Sequence, residues 1–188
     1  YYITSNGKII QMVPDLYVAW HAGKSNWGSQ KSLNDNSIGI EISNPGHEYG
    51  YRKFSDKQIK SLIGISKLII TKYNIDKYKI LGHSDIAPQR KIDPGEKFPW
   101  KLLSKKRIGI WHNLNSKILK SLRGRKSDLN LHKFVIYLKN LGYHMEYCNL
   151  KELRKIIKIF QMRFRPEVIN GKLDNECYYI AKSLYKLK

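Results

Sequence analysis

The sequence predicts an α/β fold, a mixed β-sheet flanked by helices, followed by a small three-helix unit. Three observations carry that reading. Ile38, Ile40 and Ile42 alternate with Gly39 and Glu41, the period of a strand with one apolar face. Ser55 and Gln58 form a capping-box pattern, and Ile59, Leu62, Ile63, Ile69 and Ile70 then fall on one helical face. Beyond residue 127 the strand signals stop and capped helical patterns take over.

Taken in order, Tyr2 to Val13 reads as a hairpin turning at Asn6-Gly7, where both residue types tolerate positive φ. Pro14-Asp15 ends it. Val18 to Ser25 reads as a loop in which Trp20 and His21 precede Ala22-Gly23; on residue types alone this is a packed Trp and a surface His. In the next strand Glu41 lies opposite the isoleucine face. It is an exposed strand residue or, if that face borders a cleft, a general base. Ser55 to Tyr73 is a scaffold helix. Tyr78 to Gly82 reads as a short strand delivering His83. The loop from Ser84 to Trp100 is stiffened by Pro88, Pro94 and Pro99, which suits a site better than a linker.

These elements make residues 1–105 one α/β domain. Residues 106–127 form a basic connector expected to pack partly on it. Residues 128–188 hold three helices: one through Phe134 and Leu138 ended by Gly142, one over Leu150 to Arg163 capped by Asn149 with Glu152, and one capped by Asp174 and running to Leu187. His132, His144 and Cys177 read as packing or surface residues.

Composition sets limits. Of the 188 residues 41% are hydrophobic, enough for a core and against disorder. No apolar run has transmembrane length. Tyr1-Tyr2-Ile3 does not begin a secretory signal, and with no initial Met the chain is expected to start within a longer protein. Cys148 and Cys177 fit one disulfide or two thiols. The net charge of +20 is uneven: residues 1–100 carry 14 basic and 9 acidic side chains, residues 101–188 carry 21 and 6. A basic half suits an anionic partner, such as nucleic acid, acidic lipid or a wall polymer, or is simply a Lys-rich solvated surface. No aromatic-basic nucleic-acid motif accompanies it, so nucleic acid is not the expected partner.

The densest chemistry is Leu81 to Trp100, LGHSDIAPQRKIDPGEKFPW. His83 and Asp93 offer one nitrogen and one oxygen ligand to a metal. A hydrolytic zinc takes about three protein ligands. Lys91 is placed to steady an oxyanion, and Glu41 to accept a proton from water.

The words HAG, NxxSIGIE and GHSDIAPQRKIDPGxxFPW, over Tyr2 to Trp100, resemble the zinc-dependent N-acetylmuramoyl-L-alanine amidases of the AmpD/AmiD group. These type-2 amidases share their fold with peptidoglycan recognition proteins. LKNLGY and FQMRFRPEVINGKLD resemble the peptidoglycan-binding-like helical domain of AmiD-type members. The resemblance implies hydrolysis of the amide between N-acetylmuramic acid and L-alanine in peptidoglycan or muropeptides, with Zn2+ as cofactor. By motif, His83 and Asp93 match two zinc ligands, Glu41 the residue that activates water and Lys91 the residue that steadies the tetrahedral intermediate. Trp20, His21 and Arg90 match cleft residues that bind substrate. The family's first zinc-ligand His, near the end of its first strand, has no match here. It is expected in a segment before Tyr1, and the chain alone is expected to bind zinc weakly. A non-catalytic muropeptide binder is the alternative. The wall-binding-like unit directs the expectation to the bacterial envelope, the periplasm rather than the cytoplasm, with association to the cell wall or an anionic membrane surface.

Overall fold

The computed structural model describes residues 1–125, 129–145 and 149–188. The strands are β1 (Tyr2–Ile3), β2 (Ile9–Ile10), β3 (Asn26–Trp27), β4 (Gln30–Lys31) and β5 (Glu41–Ile42). β1 pairs antiparallel with β2 and parallel with β5, giving the sheet order β2-β1-β5, while β3 and β4 form a separate antiparallel pair. The hairpin forms, but its turn lies one residue earlier than expected, at Ser5-Asn6: the Gly7 amide donates to the Thr4 carbonyl at 3.0 Å, and of Asn6 and Gly7 only Gly7 has positive φ. Gly7 has φ +87°, and a Cβ there would lie 2.9 Å from the Lys57 backbone, so this turn also admits the following helix.

The helices are α1 (Asp56–Tyr73), α2 (His83–Ile86), α3 (Trp100–Lys105), α4 (Ser116–Leu122), α5 (Leu131–Leu141), α6 (Leu150–Phe164) and α7 (Asn175–Leu187). The Ser55–Gln58 capping box forms as expected. The buried side chain of Gln58 also donates to the Ser43 carbonyl at 2.7 Å, tying the start of α1 to the end of β5. Ile59 and Leu62 pack with Ile3, Phe98, Trp100, Leu103 and Ile108 in one core. A second core joins Phe134, Leu138 and Leu141 of α5, Ile156 and Phe160 of α6, and Ile180 and Leu184 of α7. The expected connector contributes to both, with Ile108 in the first core and Leu119 in the second.

Two strand expectations are corrected. The strand expected over Ile38 to Ile42 is reduced to Glu41–Ile42, because the ladder can run only as far as its two-residue partner β1. No strand forms over Tyr78 to Gly82. A single 3-10 turn, Lys77–Lys79, leads into extended backbone at Ile80 and Gly82. The hydrogen bonds a ladder would supply come from side chains: the Ile80 carbonyl accepts from Arg163 Nη2 at 2.9 Å, and the Gly82 amide donates to Asp85 Oδ2 at 2.8 Å. His83 therefore opens a short helix and does not end a strand.

Cys177 is a buried free thiol whose pKa burial pushes up to about 12. Cys148 lies outside the described residues. No helix among the described residues is long and apolar enough to cross a membrane.

His112 is buried where the two cores meet. Burial first, then the charge of Lys101, pushes its imidazole from 6.5 down to about 4, against the Phe164 carbonyl hydrogen bond and the charges of Glu176 and Glu167. The unfolded chain takes up this proton near 6.5 and the folded chain only near 4. This stabilisation is therefore complete above 6.5 and is lost as pH falls toward about 4. We expect melting temperature to fall less steeply over that range in His112→Gln than in the parent; parallel curves would contradict the assignment.

Candidate active site

The site is built from three loops with few regular elements. The first carries Trp20 to Ser25. Its backbone is held by Asn34, whose Oδ1 accepts from the amides of His21 at 3.1 Å and Ala22 at 2.7 Å. The His21 ring then lies against Gly39. A Cβ at position 39 would be 2.4 Å from His21 Cγ, so only glycine admits the ring there. Alternation puts positions 39 and 41 on one face of the chain, the face that carries Glu41. Glu41 is exposed and its amide donates to the Tyr1 carbonyl at 2.8 Å. Burial lowers the His21 imidazole below its ordinary value; the hydrogen bond at Ser37 opposes this, and the charge of nearby His83 adds to it.

The second loop carries His83 to Asp93. His83 Nδ1 lies 3.0 Å from Asp93 Oδ2, and Nε2 lies 3.2 Å from the Ala22 carbonyl. A carbonyl can only accept, so Nε2 carries a proton, and whatever stands between Nδ1 and the carboxylate must be positive. Two electron-rich atoms stand 3.0 Å apart only with a cation, a proton or a metal, between them. Backbone links keep the pair in register: the Ser84 amide donates to the Asp93 carbonyl at 2.8 Å, and the Arg90 and Lys91 amides both donate to the Ala87 carbonyl. Burial pushes the Asp93 carboxyl up, but the His83 hydrogen bond, the His83 charge and the Lys91 charge together hold it below the ordinary carboxylate value.

The third loop, from His47 to Tyr51, braces the residues after Asp93. Tyr51 donates through its hydroxyl to the Pro94 carbonyl at 2.7 Å and accepts there from the Lys97 amide at 2.9 Å. His47 stacks on Tyr51 and pairs with Glu96 at 2.9 Å.

His83 and Asp93 are thus brought together directly, and Lys91 and His21 lie within electrostatic reach of that pair. Glu41 shares the face on which His21 packs. Trp20 projects into solvent, 93% exposed, at the end of an exposed apolar run that includes Leu16, Tyr17 and Val18. Arg90 is turned onto the protein itself: Nε and Nη2 donate to the Lys24 carbonyl at 3.0 and 2.8 Å, and Nη2 also donates to the Ala22 carbonyl. It clamps the Trp20 loop to the His83 loop. Sequence reasoning missed Asn34, Tyr51 and Asp85. Tyr51 stands in a stretch without periodicity, whereas Asn34, which opens the NxxSIGIE motif, and Asp85, inside HSDIAP, carried a motif signal.

The family model of N-acetylmuramoyl-L-alanine amidases matches residues 1–96. The chain belongs to this family. The amidase AmiD of Escherichia coli K12 is 39% identical over 189 residues, covering 95% of this chain and 68% of AmiD. The 1,6-anhydro-N-acetylmuramyl-L-alanine amidase AmpD of Haemophilus influenzae is 42% identical over 99 residues, covering 52% of each chain. The chain thus spans about half of AmpD's length. Among solved structures, AmiD in complex with anhydro-N-acetylmuramic acid-L-Ala-D-γ-Glu-L-Lys superposes with a TM-score of 0.84 at 36% identity, covering 96% of this chain and 73% of AmiD's. AmpDh3 of Pseudomonas aeruginosa superposes with a TM-score of 0.86 at 33% identity over the same shares. The α/β fold is therefore that of this amidase family.

The packing of His21 on Gly39 yields a direct test within this amidase. Gly39→Ala should displace the ring and cost about 1–3 kcal/mol through overpacking. The check is a shift of the His21 ring resonances together with a lowered unfolding midpoint; unchanged resonances would show that the ring does not pack there.

Proposed function

We propose that this chain carries the catalytic machinery of a zinc-dependent amidase that hydrolyses the bond between N-acetylmuramic acid and L-alanine in peptidoglycan or muropeptides. The observation that carries this reading is the 3.0 Å approach of His83 Nδ1 to Asp93 Oδ2, in a family member, with the other ring nitrogen bound to a carbonyl. Zinc-ligating histidines commonly bind a backbone carbonyl through their second nitrogen, which fixes tautomer and ring orientation. The pair therefore fits two ligand positions, one nitrogen and one oxygen, in keeping with zinc's donor preferences. Among the described residues no group of three His, Cys, Asp or Glu is gathered to hold a metal. A third donor from a longer form of the protein would complete the set.

Zinc, when bound, acts as a Lewis acid toward the scissile carbonyl and makes water easier to deprotonate. The chain's own residues supply the rest. Glu41 takes the proton of the attacking water as its oxygen bonds to the lactyl carbonyl carbon, then delivers it to the L-alanine nitrogen as the C–N bond breaks. Lys91 offsets the negative charge that develops on the carbonyl oxygen. His21 lines the cleft, Trp20 offers an exposed ring to the sugar or peptide, and Arg90 keeps the two loops in contact. Residues 128–188, with the connector's basic charge beside them, form the peptidoglycan-binding-like unit, which suits work in the cell envelope at the wall or an anionic membrane surface.

The reading is tested by incubating the protein with N-acetylmuramoyl peptides and measuring released stem peptide. Glu41→Gln should lower turnover by about 10²–10⁴-fold. A chelator should abolish turnover and added zinc restore it. Full activity in His83→Ala would remove His83 from the site. Metal analysis should find weak zinc in this chain and stoichiometric zinc in one extended by its natural preceding residues; tight stoichiometric zinc in the short chain would make His21 or another residue the third ligand.

That no third such donor joins the pair among the described residues favours one second reading, a muropeptide binder without hydrolysis. Affinity without product, in both the short and the extended chain, would select it.

A further inference from the structure

We propose that Arg163 and Tyr143 of the C-terminal half are positioning residues for the His83–Asp93 pair and act on it through the buried carboxylate of Asp85. The proposal rests on the reading of His83 and Asp93 as metal ligands. What it adds is that the helical unit is structurally part of the site and does more than hold a wall.

Asp85 is 1% exposed and lies two residues after His83 on the same single-turn helix. Three donors fix its carboxylate. The Gly82 amide reaches Oδ2 at 2.8 Å, the Tyr143 hydroxyl reaches Oδ1 at 2.7 Å, and Arg163 Nη1 forms a direct ion pair with Oδ2. Arg163 is itself 4% exposed, and its second terminal nitrogen donates to the Ile80 carbonyl at 2.9 Å. One guanidinium thus grips the chain on both sides of His83, at the backbone before it and at the carboxylate after it. The Trp100 ring, 4.1 Å below, holds the guanidinium plane in place.

The same helix reaches the far end of the loop. Lys155 Nζ donates to the Gln89 carbonyl at 3.0 Å, and Gln89 Nε2 donates to the Glu152 carbonyl at 3.4 Å. Tyr143 is braced from the other side by Trp27, edge to face at 5.0 Å, and by the Gly28 amide donating to the Gly142 carbonyl at 2.7 Å. The stretch 80–89, which would otherwise be a ladderless loop, is therefore spanned by α6. The Ser84 amide passes this registration to Asp93, through the bond to the Asp93 carbonyl.

Stability alone does not account for this arrangement. An apolar group of like volume usually stabilises as well as a buried ion pair, which pays a large desolvation cost. An ion pair with hydrogen bonds to backbone on each side of one residue does what an apolar contact cannot: it fixes orientation as well as distance. Partners bonded directly to a metal ligand change metal affinity by about 10–100-fold when removed, and groups one step further out are expected at the lower end of that range.

The test uses the full chain with Tyr143→Phe, which keeps the shape and removes one donor, and Arg163→Lys, which keeps the charge and loses the fork. Phe134→Leu, in the α5 core away from Asp85, is the control. Amide hydrogen exchange without metal is the first readout. The Gly82 and Ser84 amides should exchange at least tenfold faster in Tyr143→Phe, with α1 amides unchanged. Zinc titration followed on the His83 ring resonances is the second, and should weaken by about tenfold or more. Unchanged exchange at Gly82 and Ser84 in a folded Tyr143→Phe overturns the proposal. So does an equal acceleration in Phe134→Leu, which would reduce the effect to general loosening. Should Arg163→Lys not fold, Tyr143→Phe decides alone. A parent chain whose His83 ring ignores zinc even in large excess would remove the metal reading, while the exchange data would still judge the positioning role.

Discussion

The buried pair of Asp85 and Arg163 is the contact on which the arrangement of this protein depends. Taking two charges out of water is costly, and the cost is recovered only if each charge is well bonded where it ends up. Asp85 has two donors besides the guanidinium; Arg163 has a carbonyl and an aromatic face besides the carboxylate, while its buried Nε has no hydrogen-bond partner. Removing either partner would leave a bare charge in a dry interior, a loss of about 3–5 kcal/mol in comparable pairs. The pair thus makes the docking of α6 on the His83 turn closely defined. The segment it grips, Ile80 to Asp85, has no sheet partner, and would otherwise leave its backbone groups unpaired.

The candidate site follows the same principle on a smaller scale. Its loops are held by side chains that bind backbone. Asn34 holds the amides of His21 and Ala22, Arg90 collects the carbonyls of Ala22 and Lys24, and Tyr51 bridges Pro94 and Lys97. Ala22 is the common point, since its carbonyl takes both Arg90 and His83 Nε2. Arg90 thereby fixes the tautomer-setting acceptor of a proposed ligand. The side chains that remain toward solvent at this site, Trp20 and Glu41 among them, stand on a surface whose supporting loops are already tied down. Such preorganisation lets a site act without ordering itself at each turnover.

The helical half was legible from residue patterns because its information is local. Asn149 with Glu152, Asp174 and Gly142 mark helix ends by chemistry that acts within three or four residues, and the structure caps α5, α6 and α7 there. The Ser55–Gln58 box was legible for the same reason. The strands were misjudged because a strand depends on its partner. The alternation of Ile38, Ile40 and Ile42 is real, but β1 offers only two residues for it to pair with. Tyr78 to Gly82 has strand-forming residues, yet its extended backbone is satisfied by Arg163 and Asp85, one of them more than 80 residues away.

By itself, the sequence determined the family, through a motif of twenty residues whose wording is specific, and with it the pairing of His83 with Asp93 and the candidate roles of Glu41 and Lys91. It determined the capped starts of α1, α6 and α7 and the glycine stop of α5, which local chemistry sets, but not α2, α3 or α4. Only the tertiary structure decided that His83 opens a helix, that Arg90 faces inward to clamp two loops, and that His21 rests on Gly39. Only there did Asp85, Tyr143 and Arg163 become neighbours. The physical reason is that a capping group or a motif acts over a few residues of chain, whereas a buried charge finds its partner through space. No spacing in the chain encodes which of its 35 basic side chains will stay dry, as Arg163 and Arg165 do.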